Sequence, residues 1–315
     1  MSRDYVIISP ARDEAVFARR TLESVTGQTV PPALWVIVDD GSTDGTGAIL
    51  AKYAARFPYI RVLTRTDRGK RSVGPGVIEA FYAGLETVTD LKRFPYLCKL
   101  DLDLDLPLNY FQTLIERMEE NPRLGTCSGK AYFPGPSNTD KGWDGELVPE
   151  HCGDEMSVGM TKFYRRTCFE QIGGFVREVM WDGVDCHRCR MLGWIARSWD
   201  ERALRFIHLR PMGSSQQSLI TGRRRHGFGQ YYMGTSLLYM TASALYRSTK
   251  APLFVGGAAM WWGYVESMLA SKQQFGDPEF RRFLRRYQRA CLVMGKDRAT
   301  RWFDERQRDQ WRPPS

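Results

Sequence analysis

The segment Tyr96-Leu-Cys-Lys-Leu-Asp-Leu-Asp-Leu-Asp105 carries the strongest structural signal in this 315-residue chain. An apolar run leads directly into three carboxylates that alternate with leucines, so a strand would place the leucines on one face and the carboxylates on the other. Carboxylates this close repel one another, and each resists burial without a partner. The cluster therefore indicates a site for Mg²⁺ or Mn²⁺, which accept oxygen ligands. An edge strand with one solvated face would give the same pattern.

Apolar runs alternate with helix-like patterns through the first hundred residues. The expected strands are Tyr5–Ser9, Leu34–Val38, Ile60–Leu63 and Tyr96–Leu100. The expected helices between them are Glu14–Thr26, Thr46–Arg56 and Val77–Val88. This order predicts an α/β fold with right-handed βαβ crossovers and a mostly parallel, Rossmann-like sheet flanked by helices. Ligands bind such sheets at the carboxyl ends of the strands, where Asp39-Asp40 and Asp101-Asp103 both fall, so a binding site is favoured over a solvated edge.

The remaining segments predict a change from an α/β pattern to a helical pattern along the chain. Residues 135–154 read as a loop, Gly173-Gly174 as a turn, Asp185–Leu192 as a helix and Arg197–His208 as a strand. Tyr231–Tyr246 and Leu253–Ala270 are apolar but at or below the roughly 18–20 residues that span a bilayer, so both buried helices and contact with a membrane surface fit them. Phe280–Trp302 predicts one Arg-rich helix. We therefore expect a catalytic domain over residues 1–220 and a helical, basic extension over residues 221–315.

The charge is concentrated in that extension. Residues 221–315 hold 17 Lys and Arg against 7 Asp and Glu, a net charge of +10, whereas residues 1–220 sum to −1. Such an asymmetry indicates an anionic partner: phospholipid head groups, nucleic acid or a phosphorylated substrate. The seven cysteines have no framework spacing, and the first residues lead directly into a strand pattern. We expect reduced thiols and a cytoplasmic protein, with peripheral association at the inner face of the membrane as a further expectation.

Several motifs, in this order, resemble those of family 2 glycosyltransferases. They are Pro10-Ala-Arg-Asp-Glu14, Asp39-Asp-Gly-Ser-Thr-Asp44, Asp101-Leu-Asp103, Gly173-Gly-Phe175, Asp182 and Gly193-Trp194. The resemblance covers roughly residues 4–210. It implies a GT-A fold, a nucleotide-diphospho-sugar donor and, in most members, transfer with inversion of the anomeric centre.

The resemblance also implies roles for individual residues in the donor site. Asp39 would accept a hydrogen bond from the base, with uracil expected. The other residues of the nucleotide pocket would be Pro10, Ala11, Asp13, Glu14 and Asp40. Lys70 or Arg68, in the loop after the third strand, would approach the diphosphate.

The metal ligands follow from the same resemblance. Asp101 would lie towards the ribose and the metal, and Asp103 would bind the metal directly. Asp103-Leu-Asp105 fits the Asp-x-Asp pattern too, so a register two residues later stays open; we prefer the first pair because it lies nearer the strand. His208 matches the position of a metal-ligating histidine in many GT-A enzymes, and imidazole suits Mn²⁺ better than Mg²⁺.

The acceptor base is expected at Asp182. An inverting transfer needs a carboxylate that takes the proton from the attacking hydroxyl. Arg188 follows Asp182 by six residues, and Gly193-Trp194 by eleven and twelve, which is the family's spacing. Asp185 is the rival, with helix capping as its other role. The Gln-x-x-Arg-Trp motif of processive synthases is absent, and Arg223-Arg-Arg-His226 stands in its region, which favours transfer of a single sugar.

The expected function is metal-dependent glycosyl transfer, with Mn²⁺ or Mg²⁺, from a UDP-sugar to a sugar or lipid-linked sugar in cell-envelope or extracellular polysaccharide synthesis. A sugar-nucleotide nucleotidyltransferase is an alternative, although the glycine-rich basic signature usual after its first strand is missing from Pro10–Glu14. A non-enzymatic protein that binds anionic lipid or nucleic acid through the basic tail is another. It would leave the acidic motifs without a purpose, and no nucleic-acid partner is expected.

Overall fold

The computed structural model describes residues 2–66, 74–134, 147–150, 152–210, 219–249 and 254–313. The chain forms two compact units. The first comprises residues 1–177, 195–212 and 313–315, and the second comprises residues 178–194 and 213–312. The expected domain boundary after residue 220 stays a prediction.

A seven-stranded sheet forms the centre of the first unit. In spatial order its strands are β10 (Ile195–Ser198), β6 (Leu124–Ser128), β9 (Thr161–Arg165), β4 (Tyr96–Leu100), β1 (Tyr5–Ala11), β2 (Leu34–Asp39) and β3 (Ile60–Thr64). The four strands β4, β1, β2 and β3 are parallel, and β9 runs antiparallel between β4 and β6. Every residue of β2 and β4 is buried, as expected for strands covered on both faces. The expected α/β, mostly parallel sheet is confirmed.

Helices cover this sheet. They are α1 (Ala18–Thr26), α2 (Thr46–Arg56), α3 (Pro75–Glu86), α4 (Tyr110–Glu120) and α5 (Arg166–Gln171). Helix α4 shows why they pack, since its buried residues Tyr110, Phe111, Leu114, Ile115 and Met118 recur at helical spacing and form one apolar stripe. Gly173 and Gly174 have φ values of 72° and 70°, which confirms the predicted turn.

A second, four-stranded sheet lies in the same unit and supplies part of the site. Its order is β5 (Leu104–Asp105), β11 (Arg205–His208), β7 (Lys130–Pro134) and β8 (Leu147–Pro149). The antiparallel pairing of β5 with β11 sets His208 opposite Leu104. The prediction of one strand over Arg197–His208 is wrong, because residues 199–204 leave the sheet and β10 and β11 belong to different sheets.

The second unit is helical. It comprises α6 (Trp181–Met191), α7 (Leu219–Met233), α8 (Leu237–Ser248), α9 (Val255–Leu269), α10 (Pro278–Met294) and α11 (Lys296–Arg306). The prediction of a single helix over Phe280–Trp302 is wrong, because Gly295 adopts φ 83° and ψ 157° and ends α10. None of the helices in the described ranges is long and apolar enough to cross a bilayer.

Candidate active site

Asp39 is the last residue of β2 and Asp40 begins the turn after it, so both lie at the carboxyl edge of the sheet. Asp39 is buried, and its Oδ1 accepts a hydrogen bond from the Ser42 amide at 2.9 Å. Asp40 forms an ion pair with Arg65 at 2.9 Å. The Asp40 amide donates to the carbonyl of Ala11 at 2.8 Å, which ties this turn to the end of β1. The pairing of β1 with β2 sets Ala11 opposite Asp39, so the predicted nucleotide residues of the two strands lie side by side.

The loop after β1 is bound to the same turn by its acidic residues. Asp13 has a φ of 53° and accepts a hydrogen bond from the Thr43 amide at 2.9 Å. Asp44 accepts hydrogen bonds from the amides of Ala15 at 2.9 Å and Thr46 at 3.1 Å. Burial would raise the pKa of Asp44, but these hydrogen bonds and one from the Thr46 hydroxyl lower it. Asp44 therefore organises the turn that leads into α2.

Asp101 follows β4 directly and is held by a buried lysine. Lys99 Nζ lies 2.5 Å from Asp101 Oδ1 and 3.1 Å from the carbonyl of Gly159. Burial raises the pKa of Asp101, and the charge of Asp103 adds to this effect while the Lys99 ammonium opposes it. A second cation near Asp101 would favour its ionised form.

Asp103 is the buried centre of the cluster. Its Oδ2 lies 3.0 Å from Arg210 Nε and 3.5 Å from His208 Nε2. Its Oδ1 is buried and has no hydrogen-bond partner in the described part of the chain. Burial would raise the pKa of Asp103, but His208 and Arg210 lower it. Asp103 is thus an ionised carboxylate with one unpaired oxygen, which is a strong acceptor for a cation.

Glu150 holds the other side of the histidine ring. Its Oε1 lies 2.9 Å from His208 Nδ1, and both side chains are buried. Burial alone would lower the pKa of His208, but hydrogen bonds with Asp103 and Glu150 and their charges raise it to about 9. A carboxylate on Nδ1 is the usual arrangement by which proteins direct Nε2 of a histidine towards a metal.

The residues present fit a divalent cation that is shared with a ligand. Among the described residues no group of three or more His, Cys, Asp or Glu side chains converges as a metal site. Asp103 Oδ1, which has no hydrogen-bond partner among the described residues, would be one donor of the kind that Mn²⁺ accepts. His208 Nε2 would be a second donor once the incoming metal has displaced the proton that the raised pKa of the ring retains. Ions of this class are commonly held by one or two carboxylates together with substrate phosphates, so an incomplete protein cage is consistent with such a site.

Asp105 is engaged elsewhere. It lies in β5, and its Oδ2 forms an ion pair with Arg20 Nε at 2.8 Å. Asp101 and Asp103 instead interact electrostatically with each other and with His208. This geometry favours the earlier Asp-x-Asp register.

The two candidates for the acceptor base belong to the second unit. Asp182 lies in the first turn of α6 and is partly exposed. Asp185 is buried, and its Oδ1 accepts a hydrogen bond from the amide of Cys186 at 2.6 Å. The more accessible carboxylate is thus Asp182. Lys70 and Arg68, the predicted diphosphate contacts, fall outside the described residues.

Three site residues escape sequence reasoning. Glu150 lies 58 residues before His208 in a segment interpreted as a loop, and Lys99 reads as an ordinary member of a buried strand. Arg210 forms ion pairs with both Asp103 and Glu14. The available signals were a lysine inside an otherwise apolar run and an arginine two residues after the candidate histidine.

Three solved structures share the fold at low sequence identity. A Pyrobaculum calidifontis mannosyltransferase, PcManGT, in complex with GDP-Man and Mn²⁺, matches with a TM-score of 0.50 and 16% identity over 96% of this chain and 86% of that chain. S. aureus TarS 1-349 in complex with UDP matches with a TM-score of 0.50 and 13% identity over 97% and 91%. GalNAc-T7 with UDP, GalNAc and Mn²⁺ matches with a TM-score of 0.54 and 13% identity over 92% and 57%.

These likenesses identify the fold as GT-A. No curated protein matches the chain at a significant level of sequence similarity. The sequence profile of "Glycosyl transferase family 2" matches residues 6–178, which is more than half of the chain. The protein therefore belongs to glycosyltransferase family 2.

Proposed function

We propose that the protein is a metal-dependent, inverting glycosyltransferase that moves one sugar from a nucleotide-diphospho-sugar to an acceptor hydroxyl. The observation that carries this proposal is the buried Asp103, whose Oδ1 has no hydrogen-bond partner among the described residues. Its Oδ2 lies 3.5 Å from the Nε2 of His208, which is held by Glu150. Mn²⁺ or Mg²⁺ bound there would offset the charge that develops on the leaving diphosphate. A UDP-sugar is the proposed donor.

The surrounding residues have roles that the chemistry requires. Asp39, Asp40, Pro10, Ala11, Asp13 and Glu14 form or border the proposed nucleotide pocket at the carboxyl ends of β1 and β2. Asp101, held by Lys99, would face the ribose and the cation. Asp182 would accept the proton from the acceptor hydroxyl as that oxygen attacks the anomeric carbon. Its greater exposure compared with Asp185 supports this assignment.

The acceptor and the location are proposed from the second unit. Its net positive charge and its exposed aromatic and aliphatic side chains support work at an anionic membrane surface on the cytoplasmic side. A sugar attached to a lipid is the proposed acceptor, in cell-envelope or extracellular polysaccharide synthesis.

Isothermal titration with UDP, GDP and dTDP, each with Mn²⁺ and with EDTA, tests the donor site. We expect one nucleotide to bind only with the metal, and binding to be lost in Asp103→Ala but retained in Asp182→Ala. Turnover of the matching nucleotide-sugar should be lost in both variants. Metal-independent binding of equal strength, or binding that survives in Asp103→Ala, would contradict the proposed site.

A further inference from the structure

The second unit contains a cavity of about 670 Å³ that is lined mainly by apolar side chains. It lies between α7, α8 and α9, and its walls include Ile220, Leu245, Ala258, Trp261 and Trp262. Its volume lies within the range of pockets that hold one small ligand. The cavity belongs to helices that the proposed donor site does not use.

The rim of this cavity is unusually apolar for a protein surface. Ile220 is 51% exposed, Leu245 66% and Trp262 51%. Further exposed apolar side chains on α8 and at the start of α9 are Leu237, Leu238, Tyr246, Phe254 and Val255. An apolar cavity that opens onto an apolar surface is suited to a hydrocarbon chain that enters from a membrane.

Two arginines that are next in sequence to lining residues have no anionic partner among the described residues. Arg223 and Arg247 do not line the cavity but precede the lining residues Arg224 and Ser248 in sequence on α7 and α8. The Nε of Arg223 would lie 3.6 Å from a Cβ at Gly256, which precedes the lining residue Gly257 on α9. Within the described ranges neither side chain forms an ion pair, and the Nε of Arg223 is buried without a hydrogen bond. Glu266, the acidic residue of α9, is instead bound to Arg224 at 2.8 Å and 2.9 Å.

The two guanidinium groups also repel each other. Burial lowers the pKa of Arg247, and the positive charge of Arg223 lowers it further. Burial and the charges of Arg247 and Arg223 lower the pKa of His226 to about 3. The fold thus keeps two partly buried cations together at a cost in stability, which an anion between them would relieve.

Two of the helices around the cavity, α7 and α9, pack closely against each other. A Cβ at Gly227 would lie 2.0 Å from the carbonyl oxygen of Met260, and one at Gly263 would lie 2.1 Å from that of Arg224. Helices α7 and α9 therefore cross with their backbones in contact, which only glycine permits. The cavity therefore lies beside a closely packed pair of helices.

We propose that α7, α8 and α9 form a binding site for a single-chain lipid phosphate, with the hydrocarbon chain in the cavity and the phosphate between Arg223 and Arg247. The apolar walls select a chain, and the adjacent unpaired cations select its anionic head group. This inference rests on the proposed function in one respect, since it assigns the acceptor lipid to this site. Its test requires neither donor nor turnover, so a failed transfer reaction and a failed lipid site give different results.

Farnesyl phosphate, kept below its micelle-forming concentration, is the probe, with farnesol and inorganic phosphate as its two halves. We expect the intact full-length protein to bind farnesyl phosphate at least about tenfold more tightly than either half, as one charge-assisted contact implies. If farnesol binds as tightly as farnesyl phosphate, the phosphate site is excluded. If inorganic phosphate binds as tightly as farnesyl phosphate, the site for the hydrocarbon chain is excluded. Preferential binding of vesicles of two-chain phosphatidylglycerol over farnesyl phosphate would overturn the single-chain assignment.

The variant Arg247→Met distinguishes binding at this site from non-specific electrostatic attraction to the basic surface of the protein. We expect it to weaken farnesyl phosphate binding by roughly tenfold or more. Because it removes the repulsion with Arg223, it should also raise the melting temperature of the ligand-free protein. Arg286→Met is the matched control, since it removes the same charge from an exposed position on α10. Equal loss of binding in the two variants, or a lower melting temperature for Arg247→Met, would contradict the proposal.

Ala258→Trp tests the chain cavity without disturbing the arginines. Ala258 lines the cavity from an exposed position on α9, so a larger side chain can be accommodated without unfolding the helix pair. We expect roughly tenfold weaker binding of farnesyl phosphate and unchanged binding of nucleotide with Mn²⁺. Unchanged affinity for farnesyl phosphate in this variant would show that the chain does not occupy the cavity.

Discussion

Asp103 and Asp105 are both carboxylates at the same edge of the first unit, yet they have different partners. Asp105 is neutralised by Arg20 in an ion pair that water can reach. Asp103 is buried against His208 and Arg210, and one of its oxygens has no partner in the part of the chain that the structure describes. An unpaired oxygen on a buried carboxylate is costly, so its retention suggests that a ligand completes it.

Asp103→Ala should therefore affect mainly activity, whereas Asp105→Ala should affect mainly stability. Loss of Asp103 removes a proposed metal ligand, whose effect on the transition state is several kcal/mol, so kcat/KM should fall by roughly a hundredfold or more. Loss of Asp105 breaks a partly exposed ion pair and should lower the free energy of unfolding by about 0.2–1 kcal/mol with nearly unchanged activity. Steady-state kinetics with urea unfolding of both variants measures this. A larger loss of activity in Asp105→Ala would favour the later register.

Glu150 acts through the histidine ring. Its hydrogen bond with His208 Nδ1 fixes the ring so that Nε2 faces Asp103. Glu150→Gln keeps the size of the side chain but weakens this orientation, so Mn²⁺ affinity should fall by about 10–100-fold. Titration followed by electron paramagnetic resonance measures free Mn²⁺ directly. Glu119→Gln, on a surface ion pair with Arg3, is the control and should leave the affinity unchanged. Unaltered Mn²⁺ binding in Glu150→Gln would remove Glu150 from the site.

The strands that carry the acidic motifs were predictable, whereas the long-range partners were not. The bounds of β4 match the apolar run Tyr96–Leu100, because a strand buried on both faces has a continuous apolar sequence. The antiparallel direction of β9 has no local signal, since it depends on how the chain returns to the sheet. Arg210 reaches the site through the pairing of β11 with β5 and β7, and Glu150 through the pairing of β8 with β7. These pairings join segments far apart in sequence.

Gly295 shows how one residue divides an element that periodicity alone presents as continuous. Its φ of 83° and ψ of 157° belong to a region that is open essentially only to glycine. Gly295→Ala should therefore lower the free energy of unfolding by about 1–3 kcal/mol, although no atom lies within 4 Å of the added Cβ. Gly276→Ala, which also meets no atom within 4 Å and has no positive φ, should be close to neutral. Equal effects in urea unfolding would show that backbone conformation does not end α10.

Helix α7 gives the protein a pH response through His226. The folded-state pKa of about 3 lies below the ordinary value of about 6.5, because of burial and the charges of Arg247 and Arg223. The unfolded chain therefore takes up the proton first, and this contribution to stability is present above pH 6.5 and is lost as the pH falls. Between pH 7.5 and 5 the loss is up to about 2 kcal/mol. His226→Gln should remove that part of the pH dependence, which urea unfolding at several pH values measures. Parallel stability curves for the two proteins would contradict the assignment.

The predicted catalytic carboxylate and the C-terminal helices belong to one compact unit. Helix α6, which begins with Asp182 in its first turn, is joined to α11 by the fully buried Arg190 and its ion pair with Asp304 at 2.8 Å. Helix α10 adds Tyr287, whose ring lies 5.4 Å from the Arg190 guanidinium. The C-terminal segment is therefore expected to support the catalytic helix as well as any contact with lipid.

The variant Asp304→Ala tests this connection, because it removes the carboxylate that pairs with the buried Arg190. Removing one partner of a buried ion pair lowers the free energy of unfolding by about 3–5 kcal/mol. We expect this destabilisation in the unit that holds Asp182. The proposed nucleotide and metal residues belong to the other unit, so we expect turnover to fall at least about tenfold while Mn²⁺-dependent nucleotide binding persists. Asp309→Ala, an exposed neighbour in sequence, is the control and should change neither. Kinetics and isothermal titration on the same preparations separate the two effects. If nucleotide binding and turnover are lost together, the two compact units do not divide donor binding from acceptor activation.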